Sequence, residues 1–154
     1  MTRRRALSAA RVAHYREQGY LPLGPVLSAA EVAELVAEER RCRLPFGYGG
    51  ERNGCLWIAP GSQRLGLLEH DPAGVNPVLR EARAASPGIP LPLAAGEAVA
   101  FTGLTLHASG PNRSGEPRPG LFVRYCEPHA RMRSEGDRPV LEDPHSWMVA
   151  GEAG

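Results

Sequence analysis

The stretch from residue 93 to residue 126 constrains the fold most, because short apolar runs alternate there with turn-forming residues. The runs at residues 97–101, 104–107 and 120–126 are typical of β-strands. A loop rich in Gly, Pro, Ser and Asn separates the second run from the third. The sequence therefore predicts three short strands with a chain reversal between the last two.

Two polar residues stand at the ends of these predicted strands. His107 closes the second strand and Arg118 opens the third, so a turn between them brings both to one end of the fold. An imidazole can bind a metal, and a guanidinium can hold a carboxylate through two parallel hydrogen bonds. Taken alone, His107 also fits an ordinary hydrogen-bonded residue, and Arg118 also fits a strand cap or an ion pair with Glu116.

Glycine and proline are abundant, with 18 and 15 residues in a chain of 154. Many turns between short strands use such residues, so the composition favours one β-rich domain over a helical bundle. The N-terminal part is different, because Ser8 is placed to cap a helix over residues 9–18 that ends at Gly19. Ser28 and the glutamate three residues later form a capping box before a second predicted helix, over residues 29–41.

The charge and cysteine patterns exclude several classes of protein. The formal net charge is +1, and no predicted element concentrates the basic residues, so neither a nucleic acid nor a membrane surface is a predicted partner. No apolar run is long enough to cross a bilayer. The three cysteines, Cys42, Cys55 and Cys126, form no CxxC pair, which fits a reducing cytoplasm and predicts no disulfide framework.

Three stretches of the sequence resemble the phytanoyl-CoA dioxygenase family. They read GEAVAFTGLTLHASGPNRS at residues 96–114, followed by Arg118; NGCLWIAPGSQR at residues 53–64; and, more weakly, YREQGYLPLGPVLSAAEVAEL at residues 15–35. Family members are oxygenases that depend on iron(II) and 2-oxoglutarate and are built on a double-stranded β-helix. The resemblance implies that His107 is an iron ligand and that Arg118 and Ser109 hold the carboxylate of 2-oxoglutarate. It assigns no further catalytic side chain here.

One segment of the family pattern is missing from this chain. Where the family carries strands with a His-x-Asp or His-x-Glu pair, which supplies two of the three metal ligands, residues 44–52 read LPFGYGGER. None of the five histidines begins such a pair. His70 and Asp71 are adjacent and would face opposite sides of a strand, whereas Asp143 and His145 stand in the reversed order. The sequence therefore predicts an incomplete metal triad, since iron sites of this class need two imidazoles and one carboxylate.

These observations predict a mostly β fold with N-terminal α-helices, an incomplete double-stranded β-helix of the jelly-roll or cupin-like kind. In a single domain of residues 1–154, residues 1–43 are its helical part, residues 53–126 its β-helix strands and residues 127–154 a tail. Unpaired strand edges left by the missing segment predict self-association and a low melting temperature. Two functions stay open: a cytoplasmic oxygenase that hydroxylates a small organic substrate, and a non-catalytic remnant or binding module of the same fold.

Overall fold

The computed structural model describes residues 6–42, 51–68, 87–115, 117–127, 130–132 and 138–139. The chain forms two compact units, Met1–Leu121 and Phe122–Gly154. The described elements of the first unit are α1 (Ala9–Gln18), β1 (Tyr20–Pro25), α2 (Ala29–Cys42), β2 (Leu56–Ile58), β3 (Ile89–Leu91), β4 (Glu97–Phe101) and β5 (His107–Ser109). The described part of the second unit contains two short antiparallel strands, β6 (Arg131–Met132) and β7 (Arg138–Pro139).

Helix α1 has the bounds that the sequence predicts. The Ser8 hydroxyl accepts a hydrogen bond from the Arg11 backbone N–H at 3.4 Å, which satisfies one of the free donors of the first turn. The helix ends at Gly19, whose φ of 79° lies in the left-handed region, and the Gly19 N–H donates to the Tyr15 carbonyl. Glycine takes this conformation without the steric cost that a Cβ would add, so it ends the helix cleanly.

Helix α2 begins with the predicted capping box. One carboxylate oxygen of Glu31 accepts hydrogen bonds from the backbone N–H and the hydroxyl of Ser28, each at 2.8 Å. In return the Glu31 N–H donates to the Ser28 hydroxyl at 3.3 Å. The backbone and hydroxyl donors of Ser28 hold the pKa of Glu31 below its ordinary value. The helix runs one residue further than predicted.

The described strands of the first unit form two small antiparallel sheets. In one sheet β1 pairs with β4, and in the other β2 lies between β3 and β5. A bulge interrupts β1 between Pro22 and Gly24. The buried apolar residues come from β1 and from the segment around β2, namely Tyr20, Leu21, Cys55, Leu56, Ile58 and Ala59. The small core therefore includes β2, and the strand paired with β2, β5, begins at His107.

The loop after β2 joins the helical part to the sheet. Gly61, Gln63 and Arg64 donate hydrogen bonds of 2.8–3.0 Å to the carbonyl oxygens of the last α1 residues, Arg16, Glu17 and Gln18. These carbonyls have no hydrogen-bond donor within the helix. The loop provides the donors, in place of water. The PGSQR sequence thus has a structural role as the C-terminal cap of α1.

Two sequence predictions about strands are wrong in their bounds. Residues 104–107 do not form a strand, because the Thr105 N–H donates to the Thr102 carbonyl and closes a turn. This turn leaves Leu104 45% exposed, and the strand begins only at His107. The predicted strand at residues 120–126 is not part of a sheet among the described residues, and Leu121 is 68% exposed.

The sequence at residues 55–59 also predicts a strand with Trp57 packed inside, and this placement of Trp57 is wrong. Side chains of a strand alternate between its two faces, and β2 buries Leu56 and Ile58. Trp57 therefore points to the other face, where it is 39% exposed. No helix in the described part of the chain has the length and hydropathy needed to span a bilayer.

Candidate functional site

Strand β5 carries two of the three residues predicted to bind a cofactor. It pairs antiparallel with β2, so that Ser109 lies opposite Leu56 and His107 lies opposite Ile58. Residues two positions apart on a strand share a face. His107 and Ser109 therefore point to the same side of β5, and both are exposed.

The imidazole of His107 is held by two neighbours. Its Nδ1 lies 2.9 Å from the carbonyl oxygen of Thr105, and its ring centroid lies 4.6 Å from that of Phe101, with the planes tilted by 52°. A carbonyl oxygen only accepts hydrogen bonds, so Nδ1 carries the proton and donates. In the neutral imidazole Nε2 then carries a lone pair, which is the form that binds a metal.

The guanidinium of Arg118 is anchored near the Ser109 end of β5, although Arg118 itself lies after that strand. It is half-buried and donates a hydrogen bond to the backbone carbonyl of Gly54, just before β2. Gly54 has a φ of 79°, and a Cβ at this position would collide with the carbonyl oxygen of Gly110. Because Gly110 directly follows Ser109, this close backbone approach places the Arg118 anchor beside the Ser109 end of β5.

A buried amide oxygen lies next to this anchor. The side-chain oxygen of Asn53 is buried and has no donor within the described residues. Buried acceptors are nearly always paired in folded proteins, so such an atom marks a locally polar spot. Asn53 has no role that follows from the sequence alone, although its position before Gly54 in the NGCLWIAPGSQR stretch was an available signal.

Two further residues near His107 were also missed from the sequence. Thr105 and Ser62 are 2% and 3% exposed, and both use their hydroxyls in hydrogen bonds around the turn that precedes β5. The available signal was a polar residue within an otherwise apolar run, as in GLTLH.

A complete set of metal ligands is not found in the described part of the chain. Among those residues, no group of three or more His, Cys, Asp or Glu side chains could hold a metal ion. His70, Asp71, Asp143 and His145 lie outside the described residues, as does Glu116. His107 thus fits one ligand position of an iron site, and the described residues do not complete the ligand set.

The comparison with protein families decides the relationship of this chain. The family model described as phytanoyl-CoA dioxygenase matches residues 49–120, which include β2, β5 and all three predicted site residues. Over these residues the chain is similar to the phytanoyl-CoA dioxygenase family. The resemblance inferred from its sequence is therefore confirmed.

One similar protein is named for the hydroxylation of a small molecule. The chain is 29% identical over 96 residues to the methylphosphonate hydroxylase of Gimesia maris. The matched region is 62% of this chain and 36% of that protein. The chain therefore spans little more than a third of the length of this relative.

Several solved structures share the fold, and the descriptions of two of them name alpha-ketoglutarate. The carbocyclase SnoK from nogalamycin biosynthesis matches with a TM-score of 0.59 and 16% identity, over 73% of this chain and 81% of that chain. The epimerase SnoN, in complex with Fe³⁺, alpha-ketoglutarate and nogalamycin RO, matches with a TM-score of 0.55 and 20% identity, over 71% and 79%. AviO1 from Streptomyces viridochromogenes Tue57 matches with a TM-score of 0.54 and 20% identity, over 74% of this chain and 92% of that chain. At these identities the likeness shows the jelly-roll fold.

Proposed function

We propose that this chain is an oxygenase dependent on iron(II) and 2-oxoglutarate that hydroxylates a small organic substrate. In this proposal His107 is one iron ligand, and Arg118 and Ser109 hold the 2-oxoglutarate carboxylate. The observation that carries it is the hydrogen bond from His107 Nδ1 to the Thr105 carbonyl, which leaves Nε2 as a lone-pair donor. The shared face of His107 and Ser109 on β5 supports it.

The seat for the carboxylate is supported by the hydrogen-bonding capacity of Arg118. A guanidinium has five N–H donors in a planar fork, so a hydrogen bond to the Gly54 carbonyl leaves others for a ligand. The exposed Ser109 hydroxyl adds a donor on the strand beside it. An arginine fork with a neighbouring hydroxyl is a chemically sound site for a dicarboxylate such as 2-oxoglutarate.

The substrate class is proposed from the relatives. One is named for hydroxylation of methylphosphonate, and one solved structure holds nogalamycin RO, so both act on or bind small organic molecules. Because the chain spans only 36% of the hydroxylase, the activity itself is part of the proposal.

The second candidate function is a non-catalytic remnant or binding module with the same fold. The ligand set favours it, since the described residues contain no group of three metal-binding side chains. Under this reading the His-x-Asp segment has been lost and the β-helix is incomplete. The outer strands β3 and β5 would then be edges able to pair with a second copy of the chain. A sedimentation coefficient that rises with protein concentration, together with a low melting temperature, would support an incomplete β-helix. A monomer with a high melting temperature would contradict it.

An anaerobic titration with iron(II) and 2-oxoglutarate separates the two candidates. A working site should give a weak visible charge-transfer band, and admission of oxygen should yield succinate. Both signals should be absent from the His107→Ala variant. Absence of the band and of succinate in the wild-type chain would remove the enzymatic function and leave the binding module.

A further inference from the structure

We propose that Ser62 and Thr105 are positioning residues that set the tautomer and orientation of His107. The inference deepens the proposed function, since it concerns the residue assigned there as an iron ligand. Its basis is a pair of buried hydroxyls that fix a single peptide group, the one joining Thr105 to Leu106. The carbonyl of this peptide is the acceptor for His107 Nδ1.

Ser62 fixes the N–H side of that peptide. Its hydroxyl donates to the Ala59 carbonyl at 2.7 Å and accepts from the Leu106 N–H at 2.8 Å. A trans peptide is planar and its N–H and C=O point in opposite directions. Holding the Leu106 N–H toward Ser62 therefore directs the Thr105 carbonyl away from Ser62, toward the imidazole of His107.

Thr105 fixes the other side of the same peptide. Its hydroxyl donates to the Gly19 carbonyl at 2.9 Å and lies 3.0 Å from the Thr102 hydroxyl. A hydroxyl has one proton, and Thr105 spends it on Gly19, so Thr102 must be the donor in the second contact. The Thr105 side chain is thereby tied both to the end of α1 and to the turn before β5.

The backbone completes the support on the strand side. The Ala59 N–H donates to the Leu106 carbonyl at 2.9 Å, which continues the pairing of β2 with β5 by one residue. Both backbone groups of Leu106 are thus paired, its N–H with the Ser62 hydroxyl and its carbonyl with the Ala59 N–H. The Thr105 carbonyl has little freedom to turn away, so His107 Nδ1 keeps its acceptor and Nε2 remains the free lone pair.

The fixed acceptor matters because the neutral imidazole has two tautomers. Where Nδ1 has no acceptor, the proton can move to Nε2, and that nitrogen can no longer bind a metal. Metal-binding histidines characteristically donate their second ring N–H to a carbonyl or carboxylate for this reason. Ser62 and Thr105 would act entirely through this acceptor and need not touch the cofactor.

The test is the tautomer of His107 in the full chain without metal. Long-range ¹H–¹⁵N spectra of ¹⁵N-histidine-labelled protein, recorded at a pH well above the ordinary imidazole pKa of about 6.5, distinguish the two ring nitrogens. The His107→Gln variant identifies the signals. We expect a protonated Nδ1 and an unprotonated Nε2 in the wild-type chain. Ser62→Ala and Thr105→Val should each shift the tautomer ratio about fivefold toward Nε2–H, the size of effect expected from weakening one hydrogen bond.

Two variants serve as controls. Thr105→Ser keeps the hydroxyl and should keep the wild-type ratio. Ser28→Ala removes a hydroxyl from the cap of α2 and lowers stability, yet it should leave the ratio unchanged, which separates positioning from general destabilisation.

The proposal is overturned if wild-type His107 carries its proton on Nε2, or if folded Ser62→Ala and Thr105→Val variants keep the wild-type ratio. If both variants fail to fold, the wild-type spectrum and the spectrum of the Thr105→Ser variant still test the proposal. A tautomer ratio in Thr105→Ser that differs from the wild-type ratio would also overturn it. The spectrum requires no iron or 2-oxoglutarate. A failed iron titration would therefore remove the proposed activity while leaving this result intact.

Discussion

The two ends of β5 are held by different kinds of interaction. At the His107 end, the buried neutral hydroxyls of Ser62 and Thr105 hold the backbone through short hydrogen bonds. At the Ser109 end, two glycine backbones meet closely and one charged side chain, Arg118, donates to a carbonyl.

The difference shows how one short strand can combine a rigid group with an adaptable one. Buried hydroxyls whose donors and acceptors are used leave little freedom, which suits a ligand that must present one nitrogen. A guanidinium that uses one hydrogen bond on the protein keeps donors for an incoming carboxylate.

The close approach of Gly54 to Gly110 should be the most sensitive point. Gly54→Ala places a Cβ in the left-handed region and against a backbone carbonyl, so we expect a loss of about 2–5 kcal/mol in the free energy of unfolding. Gly103 has no atom within 4 Å of an added Cβ, and Gly103→Ala should change stability by no more than about 1 kcal/mol. Chemical denaturation measures both. Equal effects would contradict the role given to the Gly54 contact.

Substitution of Arg118 should affect ligand binding more than it affects folding. Arg118→Ala should weaken 2-oxoglutarate binding about 10- to 150-fold, because a hydrogen-bonded charge pair is worth about 1.5–3 kcal/mol. Arg118→Lys should recover only part of the affinity, since lysine lacks the planar fork. Calorimetric titration measures this, with the exposed Arg113→Ala as a charge-matched control. Equal losses in both alanine variants would point to net charge alone.

Two serines test the contrast between the ends directly. Ser62→Ala leaves the Leu106 N–H without its acceptor in a buried site, so we expect a loss of about 1–3 kcal/mol in stability. Ser109 is exposed, so Ser109→Ala should change stability by less than about 0.5 kcal/mol while weakening 2-oxoglutarate binding. Thermal and chemical denaturation give the first comparison, and titration gives the second. A larger stability loss for Ser109→Ala would reverse the assignment.

The smallest expected effect concerns the exposed hydrogen bonds of Ser28 and Glu31, which contrast with the buried pair at His107. The pKa of Glu31 is lowered in the folded chain, so this carboxylate adds stability at pH values above the ordinary glutamate pKa of about 4.3. That contribution is lost as the pH falls through the lowered folded value. Glu31→Gln should flatten this part of the stability curve slightly; an unchanged curve would mean that the cap contributes nothing measurable.

The sequence predicted the parts of the fold that depend on local chemistry. Ser8, Gly19, Ser28 and Glu31 act within a few residues of their positions, and both helices follow as predicted. The apolar run at residues 97–101 likewise marked β4 correctly.

The errors have two causes, a competing local turn and a strand partner that is distant in the sequence. The run at residues 104–107 alternates like a strand, but the Thr102 hydroxyl and carbonyl capture the N–H groups of Leu104 and Thr105 in a turn. Trp57 was predicted to pack inside, whereas the pairing register of β2 buries its two neighbours instead.

The candidate site was partly accessible from the sequence. The family resemblance drew attention to His107, Ser109 and Arg118, and their assignment to cofactors stays a prediction. The roles of Ser62 and Thr105 could not be read from spacing, because their partners Leu106 and Gly19 are 44 and 86 residues away along the chain.

The central claim is that His107 and Arg118 belong to one cofactor pocket. Mn²⁺ is a redox-inert paramagnetic substitute for iron(II), and it speeds the nuclear relaxation of a ligand bound close to it. With ¹³C-labelled 2-oxoglutarate, we expect Mn²⁺-induced relaxation in the wild-type chain that is lost in both His107→Ala and Arg118→Ala. Relaxation that persists in either variant, or its absence from a wild-type chain that binds both Mn²⁺ and 2-oxoglutarate, would contradict the single pocket.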